Sequence, residues 1–156
     1  TTEVENATQV SENWEQLKLR EKGGNKRVLS GVPSGLPSIV KAYRIQEKAR
    51  NVGFEWDDAS GAWEKLLEEI AELKVELDNG NHDLAEAELG DLLFATINVA
   101  RMNGLSPDNA LERTNQKFIR RFNYVEEGAI AAGQNLKDMT LEAMDALWNE
   151  AKSKGL

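Results

Sequence analysis

The sequence predicts an all-α fold, an antiparallel bundle of helices. Apolar residues recur at three- and four-residue intervals through several long stretches, and that spacing defines one face of an α-helix. Turn-forming residues separate two of these stretches at Asp78-Asn79-Gly80-Asn81, and Ser106-Pro107 and Met139-Thr140 are typical helix starts. The predicted helices cover residues 37–51, 62–78, 83–103, 107–127 and 141–153.

Composition limits the classes of protein that this chain can belong to. A chain of 156 residues with 40% hydrophobic residues can bury one core, so we expect one main domain. It has no cysteine, which excludes disulfides and thiolate metal sites. The longest apolar run, residues 92–100, is too short to cross a bilayer. We therefore expect a soluble, cytoplasmic protein with no membrane partner. The net charge of −8 disfavours binding to nucleic acid.

The first predicted helix begins at Pro37, since proline suits the first turn of a helix, and it ends near Gly53. One side of it carries a mostly apolar set with one polar member: Ile39, Tyr43, Gln46, Ala49 and Val52. Two aromatic residues follow, Phe54 and Trp56. We assign both to packing, because aromatic side chains dominate protein cores.

The second predicted helix separates apolar from acidic residues. Its apolar stripe consists of Trp63, Leu66, Leu67, Ile70, Leu73 and Leu77. The opposite side carries Glu68, Glu69, Glu72 and Glu76, with Lys65 among them. Taken alone, this acidic face is typical of a solvated surface, since glutamate favours helices and charged residues are mostly exposed.

The third predicted helix changes that interpretation. It is apolar on nearly every side, so it should be buried in a core or an interface. Glu88 and Asp91 nevertheless interrupt one of its apolar stripes, and burying an unpaired carboxylate costs several kcal/mol. Protonation, an Arg or Lys partner, or a metal ion would each neutralise them. Clustering with Glu69 and Glu72 across a helical hairpin favours a hard divalent cation, because like charges in one site repel unless a cation lies between them.

At these residues the chain resembles the MazG family of nucleoside triphosphate pyrophosphohydrolases, whose motif is E-E-x-x-E, a spacer and E-x-x-D. The matching residues are Glu68, Glu69, Glu72, Glu88 and Asp91. The resemblance implies hydrolysis of a nucleoside triphosphate to monophosphate and pyrophosphate, with Mg²⁺, or Mn²⁺ as a substitute. It implies Glu69, Glu72, Glu88 and Asp91 as metal ligands, and Glu68 either as a further ligand or as a base that orients the attacking water. Glu68, Glu69 and Glu72 are the predicted catalytic residues, and Lys65 would offset charge on the phosphate chain.

The fourth predicted helix has an inward face and a basic strip, which consists of Arg113, Lys117 and Arg121. The inward face consists of Leu111, Thr114, Phe118, Phe122 and Val125. The segment 115–122 resembles the N-x-K-F-x-R-R-F segment of MazG, which implies that Lys117 and Arg121 bind nucleotide phosphates. Residues 128–133 are predicted to be a connection. In the last helix Trp148 and Lys152 resemble a terminal W-x-x-x-K, which implies contact of Trp148 with base or sugar and of Lys152 with phosphate; packing of Trp148 on the bundle is an equal alternative.

The resemblance also suggests an organisation for the whole chain. Residues 29–156 look like the C-terminal domain of a tandem MazG, and residues 1–28 like a linker or the tail of a preceding domain, with Glu21–Lys26 as the linker. We expect a homodimer or higher oligomer that buries the apolar third helix. Three alternatives stay open: an all-α dUTP or dNTP pyrophosphatase, a di-iron carboxylate bundle, and a non-catalytic helical interaction module. The sequence does not predict the preferred base or sugar.

Overall fold

The computed structural model describes residues 7–21 and 27–156. Over these ranges the chain forms six α-helices, two short 3-10 helices and no strand, so the predicted all-α class is confirmed. None of the described helices combines the length and the apolar character needed to cross a bilayer. The chain divides into two compact units, one ending at Pro107 and the other comprising Asp108–Leu156. The α-helices are α1 (Ala7–Glu21), α2 (Ser38–Asn51), α3 (Ala59–Asp78), α4 (His82–Met102), α5 (Pro107–Ala131) and α6 (Leu141–Ser153).

The helices α3 and α4 form the helical hairpin that the sequence predicts. Only three residues join them, and Gly80 closes the turn with a φ of 71°, a left-handed conformation that costs glycine little. Their buried residues are Ala62, Leu66 and Glu69 on α3 and Ala85, Ala95 and Ile97 on α4. Small side chains such as alanine let two packed helices approach closely. A glutamate therefore belongs to the buried face of α3, next to its alanine and leucine.

The helix α2 packs against α4 in the first unit. The contact includes one polar bond, in which Gln46 Nε2 donates to the backbone oxygen of Phe94 at 2.9 Å. Gln46 is buried, so this bond compensates part of the cost of removing its amide from water. The polar residue in the apolar side of α2 thus lies inside the unit.

The helix α1 packs against α2, with contacts between polar side chains. Lys48 Nζ lies 3.0 Å from Glu15 Oε1, and Asn51 Nδ2 donates to Ser11 Oγ at 3.0 Å. The sequence analysis predicted no helix before residue 37. The helix α1 was missed because its apolar residues at helical spacing, Val10, Trp14 and Leu17, are few in a mostly polar segment. Of the predicted linker Glu21–Lys26, residues 22–26 lie outside the described residues, and the division into 1–28 and 29–156 stays a prediction.

In the second unit α5 continues past the predicted end of its helix. Residues 128–131 are helical, so the connection predicted at 128–133 is wrong in its first four positions. A Cβ atom on Gly128 would lie 2.8 Å from Leu147 Cδ2 of α6, a distance that real Cβ contacts almost never show. Gly128 therefore allows α6 to pack closely on α5, and glycine here indicates packing, not a turn.

Several large apolar side chains that were predicted to pack remain exposed. On α5 only Val125 of the predicted inward face is buried, whereas Leu111, Phe118 and Phe122 are exposed. Phe54 is 82% exposed, so its assignment to the core is wrong. Most of the apolar stripe of α3 is exposed as well: Trp63, Leu67, Ile70 and Leu77. The buried side of α3 is the side that carries Glu69.

The N-terminus of α6 offers a test of local structure. Thr140 is its N-cap, as predicted, and Thr140 Oγ1 accepts a hydrogen bond from the backbone nitrogen of Ala143 at 3.1 Å. We expect Thr140→Ala to lower the free energy of unfolding by about 1 kcal/mol, because one helix donor loses its partner. Urea denaturation measures the change. Thr140→Ser keeps the hydroxyl and should lose much less, and equal losses in both variants would contradict the capping role.

Candidate functional site

Three carboxylates come together on the hairpin of α3 and α4. Glu69 of α3 and Glu88 and Asp91 of α4 each offer an oxygen, and these oxygens all lie within 4.8 Å of one another. Glu88 and Asp91 share one face of α4 because they are three residues apart. We call Glu69, Glu88 and Asp91 the acidic cluster. Its members are three of the four acids predicted from the sequence as metal ligands, brought together by the hairpin from positions about twenty residues apart.

The three acids differ in burial. Glu69 is 5% exposed, Glu88 is half-buried and Asp91 is exposed. The expectation that Asp91 is enclosed in apolar surroundings is therefore wrong. Asp91 lies on the wall of a cavity, so the cost of burying a carboxylate falls mainly on Glu69.

The acidic cluster has more acceptor oxygens than the neighbouring cation can satisfy. Lys65 Nζ lies 3.1 Å from Glu69 Oε1 and 3.2 Å from Glu68 Oε2. The hydrogen bond to Glu69, followed by that to Glu68, raises the pKa of Lys65. Glu69 Oε2 and Glu88 Oε2 are buried and accept no hydrogen bond in the described structure. Buried carboxylate oxygens without partners are costly, and oxygens of this kind are the ligands that hard divalent cations take. The residues present therefore fit a divalent metal ion.

Glu72, the fourth predicted ligand, lies beside the acidic cluster and outside the three-oxygen group. Partial burial raises its pKa to about 7, and the negative charges of Glu69 and Glu88 add to the shift. Burial also raises the pKa of Glu88, with further contributions from Glu69 and Asp91. Without a cation, these acids hold protons at a pH where an isolated carboxyl is ionised.

This proton affinity predicts how metal binding depends on pH. A raised pKa means that the metal-free fold favours the protonated acid, so its stability is highest below the ordinary pKa and falls as the pH rises through about 7. A cation must displace the protons, so we expect its affinity to weaken by up to about tenfold per pH unit as the pH falls below about 7. Calorimetric titration with Mg²⁺ at several pH values measures this. Glu64→Gln, on the same helix outside the cluster, should keep the wild-type dependence; an affinity independent of pH would contradict the prediction.

A cavity of about 710 Å³ adjoins the acidic cluster within the first unit. Lys65, Glu69 and Asp91 belong to its wall. We call it the hairpin cavity, and its other lining residues include Gln46, Phe54, Trp56, Phe94, Asn98 and Arg101. Ligand pockets commonly have volumes of about 300–1,000 Å³, with mostly apolar walls and a few polar groups. The hairpin cavity fits that description and shares a wall with the cluster of acids.

Three polar residues of the hairpin cavity were not predicted from the sequence to belong to a site: Gln46, Asn98 and Arg101. The position of Gln46 could have indicated a functional role, because it is the one polar residue on the apolar side of α2. Asn98 and Arg101 carried none, since polar residues near a helix end are ordinary. Their position depends on the packing of α2 against α4, which periodicity alone does not specify.

The predicted phosphate- and base-binding residues of the second unit lie on α5 and α6. Arg121 Nε donates to the backbone oxygen of Leu156 at 2.8 Å, and the Arg121 guanidinium lies 5.5 Å from the centroid of the Trp148 ring. Trp148 also packs on Phe118, with centroids 5.2 Å apart, so it takes part in packing within its unit. Lys117 and Lys152 are exposed. Contact of these residues with a nucleotide stays a prediction.

Comparison with known proteins identifies the family. Residues 60–126 match the model of the MazG nucleotide pyrophosphohydrolase domain, a range that contains α4, all of α3 except its first residue, and the whole acidic cluster. The matched segment is a MazG domain. The resemblance seen in the sequence is thereby confirmed, and the acids of this MazG domain lie in the matched range.

Named relatives extend the similarity beyond the matched range. The MazG chain is 38% identical, over 153 residues, to the nucleoside triphosphate pyrophosphohydrolase of Escherichia coli (strain K12), covering 96% of this chain and 58% of the relative. It is 39% identical, over 140 residues, to the nucleoside triphosphate pyrophosphohydrolase/pyrophosphatase MazG of Thermotoga maritima, covering 89% of this chain and 54% of that protein. It is also 47% identical, over 151 residues, to YabN of Bacillus subtilis (strain 168), covering 96% of this chain and 31% of YabN. The chain thus spans little more than half the length of the first two.

Proposed function

We propose that this MazG domain hydrolyses a nucleoside triphosphate to the nucleoside monophosphate and pyrophosphate, with Mg²⁺ held by the acidic cluster. The observation that carries the proposal is the pair of buried, unpartnered oxygens, Glu69 Oε2 and Glu88 Oε2, within a group of three acids. The names of two relatives support the reaction. An open cavity beside the acids supplies room for a nucleotide.

The proposed metal ligands are Glu69, Glu72, Glu88 and Asp91. A bound divalent cation would polarise a phosphate group and lower the pKa of a bound water. Carboxylates without histidine or cysteine suit Mg²⁺, and Mn²⁺ takes the same oxygen ligands. Lys65 pairs with one oxygen of Glu69 and cancels part of the negative charge of the site. The other oxygen of Glu69 stays unpaired.

The proposed substrate-binding residues are cations and one aromatic residue. Lys65 is partly exposed beside the acids, so its ammonium can turn towards the phosphate chain of a bound substrate. Arg121 offers a planar fork of donors that suits phosphate oxygens, and Lys117 and Lys152 offer further positive charge. Trp148 is proposed to contact the sugar or base. Together these cations would offset the negative charge of the triphosphate in an otherwise acidic protein.

Glu68 is proposed either as a further ligand or as a base that orients water, and a variant separates the two roles. Glu68 is exposed and pairs with Lys65 at 3.2 Å. If Glu68 is a ligand, Glu68→Gln should weaken Mg²⁺ binding in calorimetry. If it is a base, the same variant should lower kcat with unchanged Mg²⁺ affinity. A variant with both quantities unchanged removes Glu68 from the site.

We further propose that the protein is a homodimer. Exposed leucines occur on both helices of the hairpin, among them Leu67 of α3 and Leu89 and Leu93 of α4. Large apolar side chains exposed in this number favour an interaction site, and a second copy would bury the same surface of both chains at once. The cytoplasmic location and the lack of a nucleic-acid partner stay predictions.

A product analysis over a panel of NTPs and dNTPs with Mg²⁺ tests the proposed reaction. We expect monophosphate and pyrophosphate in equal amounts, with no diphosphate, and no reaction in the presence of a chelator. Release of diphosphate and inorganic phosphate would contradict the reaction. Activity confined to dUTP or to a single dNTP would instead support the dNTP-specific pyrophosphatase. Absence of both hydrolysis and a saturable Mg²⁺ site would support the helical interaction module.

A further inference from the structure

The hairpin cavity contains a buried amide with one unsatisfied end. Gln46 is 5% exposed, and its Nε2 donates to the backbone oxygen of Phe94. A carbonyl oxygen only accepts hydrogen bonds, so the amide nitrogen must face Phe94 and the amide oxygen must face away. That oxygen, Gln46 Oε1, is buried and has no partner. Gln46 belongs to the lining of the cavity, so a buried acceptor without a partner lies at the cavity wall.

A second unsatisfied group on the same wall is a donor. Arg101 has a side chain only 6% exposed. Its Nη1 and Nη2 bind Glu55 Oε2 at 2.6 Å and Glu55 Oε1 at 2.9 Å, and Nη2 also binds Asn98 Oδ1 at 2.7 Å. The remaining Arg101 Nε is buried without a partner. Glu55 cancels the charge of Arg101, so the Nε donor belongs to an ion pair with no net charge.

Flat apolar surface completes the lining. Phe54, Trp56 and Phe94 all line the cavity and all are exposed, Phe54 most of all. An aromatic side chain in this environment favours a partner with a flat π-face. The balanced charge of Glu55 and Arg101 disfavours a phosphate and suits an uncharged ring, whereas Lys65 and the acidic cluster on the same wall suit the phosphates and their cation.

We propose that the hairpin cavity binds the nucleobase of the substrate, and that Gln46 and Arg101 are its specificity-determining residues. Gln46 Oε1 accepts a hydrogen bond from an N–H of the base, Arg101 Nε donates to a ring nitrogen or carbonyl oxygen, and Phe54 stacks on the ring. The inference rests on the proposed function, since it names the part of the substrate that the cavity recognises. It assigns base recognition to the unit that carries the acids, and of the two contacts proposed for Trp148 it leaves the sugar.

Substrate pairs that differ only in the base donor test the role of Gln46. The 6-amino group is the only base donor of ATP, and purine riboside triphosphate lacks it; CTP and its 4-deamino analogue form the same kind of pair. For whichever of ATP and CTP is hydrolysed faster, we expect the analogue to lose about tenfold or more in kcat/KM, because a buried acceptor is left unpaired. Gln46→Met should hydrolyse the two members of the pair equally well. An analogue as good as its parent in the wild-type enzyme overturns the proposal.

A surface variant keeps the test independent of folding. Phe54 is 82% exposed, so Phe54→Ser should fold normally and raise KM for the nucleotide about tenfold through lost stacking. Its Mg²⁺ affinity and its inhibition by inorganic tripolyphosphate, which has no base, should equal those of the wild type. Leu105→Ser is the matched control, because Leu105 is exposed in the same unit and does not line the cavity. An unchanged KM in Phe54→Ser overturns the stacking role.

The outcomes separate this inference from the proposed function. A wild-type protein that releases no pyrophosphate from any nucleoside triphosphate refutes the proposed function itself. A wild-type protein that releases pyrophosphate, but is indifferent to the base donor and to Phe54, keeps the function and refutes the base site. An Arg101→Lys variant adds a check on the donor, since lysine can still pair with Glu55 and has no Nε–H at that position. It should lose kcat/KM for the nucleotide while its inhibition by tripolyphosphate stays unchanged.

Discussion

Asp91→Asn is expected to reduce the rate of pyrophosphate release about 100- to 1,000-fold and leave the helical content unchanged. Asparagine keeps the shape of the side chain and removes its negative charge, so a cation loses one of three neighbouring carboxylates. Because Asp91 is exposed, the substitution removes no buried packing, and the loss of activity should come without loss of the fold. Steady-state kinetics, circular dichroism and Mg²⁺ titration measure the three quantities.

The control for Asp91→Asn is Asp83→Asn on the same helix. Asp83 is an exposed acid in the first turn of α4 and is not part of the acidic cluster, so its loss should leave rate and Mg²⁺ affinity near the wild-type values. Equal activity in Asp91→Asn and Asp83→Asn would refute the metal assignment. A fall in both variants together with a lower melting temperature would show that charge on α4, and not the cluster, is responsible.

The hairpin and its acids could be predicted from the sequence because both depend on local rules. The period of the apolar residues specifies two helices, and the turn residues ending at Asn81 require them to be antiparallel neighbours. Once two helices pack side by side, acids at three- and four-residue spacing must come together if they lie on the facing sides. Glu69, Glu88 and Asp91 satisfy that condition.

The burial of individual acids could not be predicted, because it depends on a third helix. Periodicity placed Asp91 in an apolar stripe, which suggested that it is enclosed. In the structure α2 packs against α4, and residues of both helices line the hairpin cavity, where Asp91 faces open space. Apolar residues elsewhere on the hairpin also stay exposed. The sequence pattern indicates that one face of a helix favours burial, but it does not indicate which neighbouring helix buries that face.

The hairpin cavity could not be predicted from the sequence for the same reason. Gln46, Glu55 and Arg101 come from three separate segments that share no motif. Arg101 and Glu55 form their ion pair across 46 positions of the sequence, a separation over which local spacing rules carry no information. Phe54 was assigned to a core because of its residue type, whereas its position after the end of α2 leaves it exposed.

Leu67→Glu is expected to convert a homodimer into monomers. Leu67 lies in the exposed apolar stripe of α3 with Trp63, Ile70 and Leu77, and a dimer that buries this stripe would bury one new carboxylate from each chain. An unpaired buried charge costs several kcal/mol, so association should weaken by a factor of about 100 or more. Light scattering during gel filtration should give about twice the chain mass of 17.4 kDa for the wild type and the chain mass for the variant.

The matched control is Leu141→Glu, which makes the same substitution at another exposed leucine. Leu141 is 72% exposed and begins α6 in the second unit, where an acid at a helix N-terminus is favourable. This variant should keep the mass of the wild type. A wild type of 17.4 kDa at micromolar concentration would refute the dimer. A Leu67→Glu variant that stays dimeric would place the interface outside the α3 stripe. Because Glu69 lies only two residues after Leu67 on the same helix, Mg²⁺ affinity in the monomeric variant then shows whether the acidic cluster is complete within one chain.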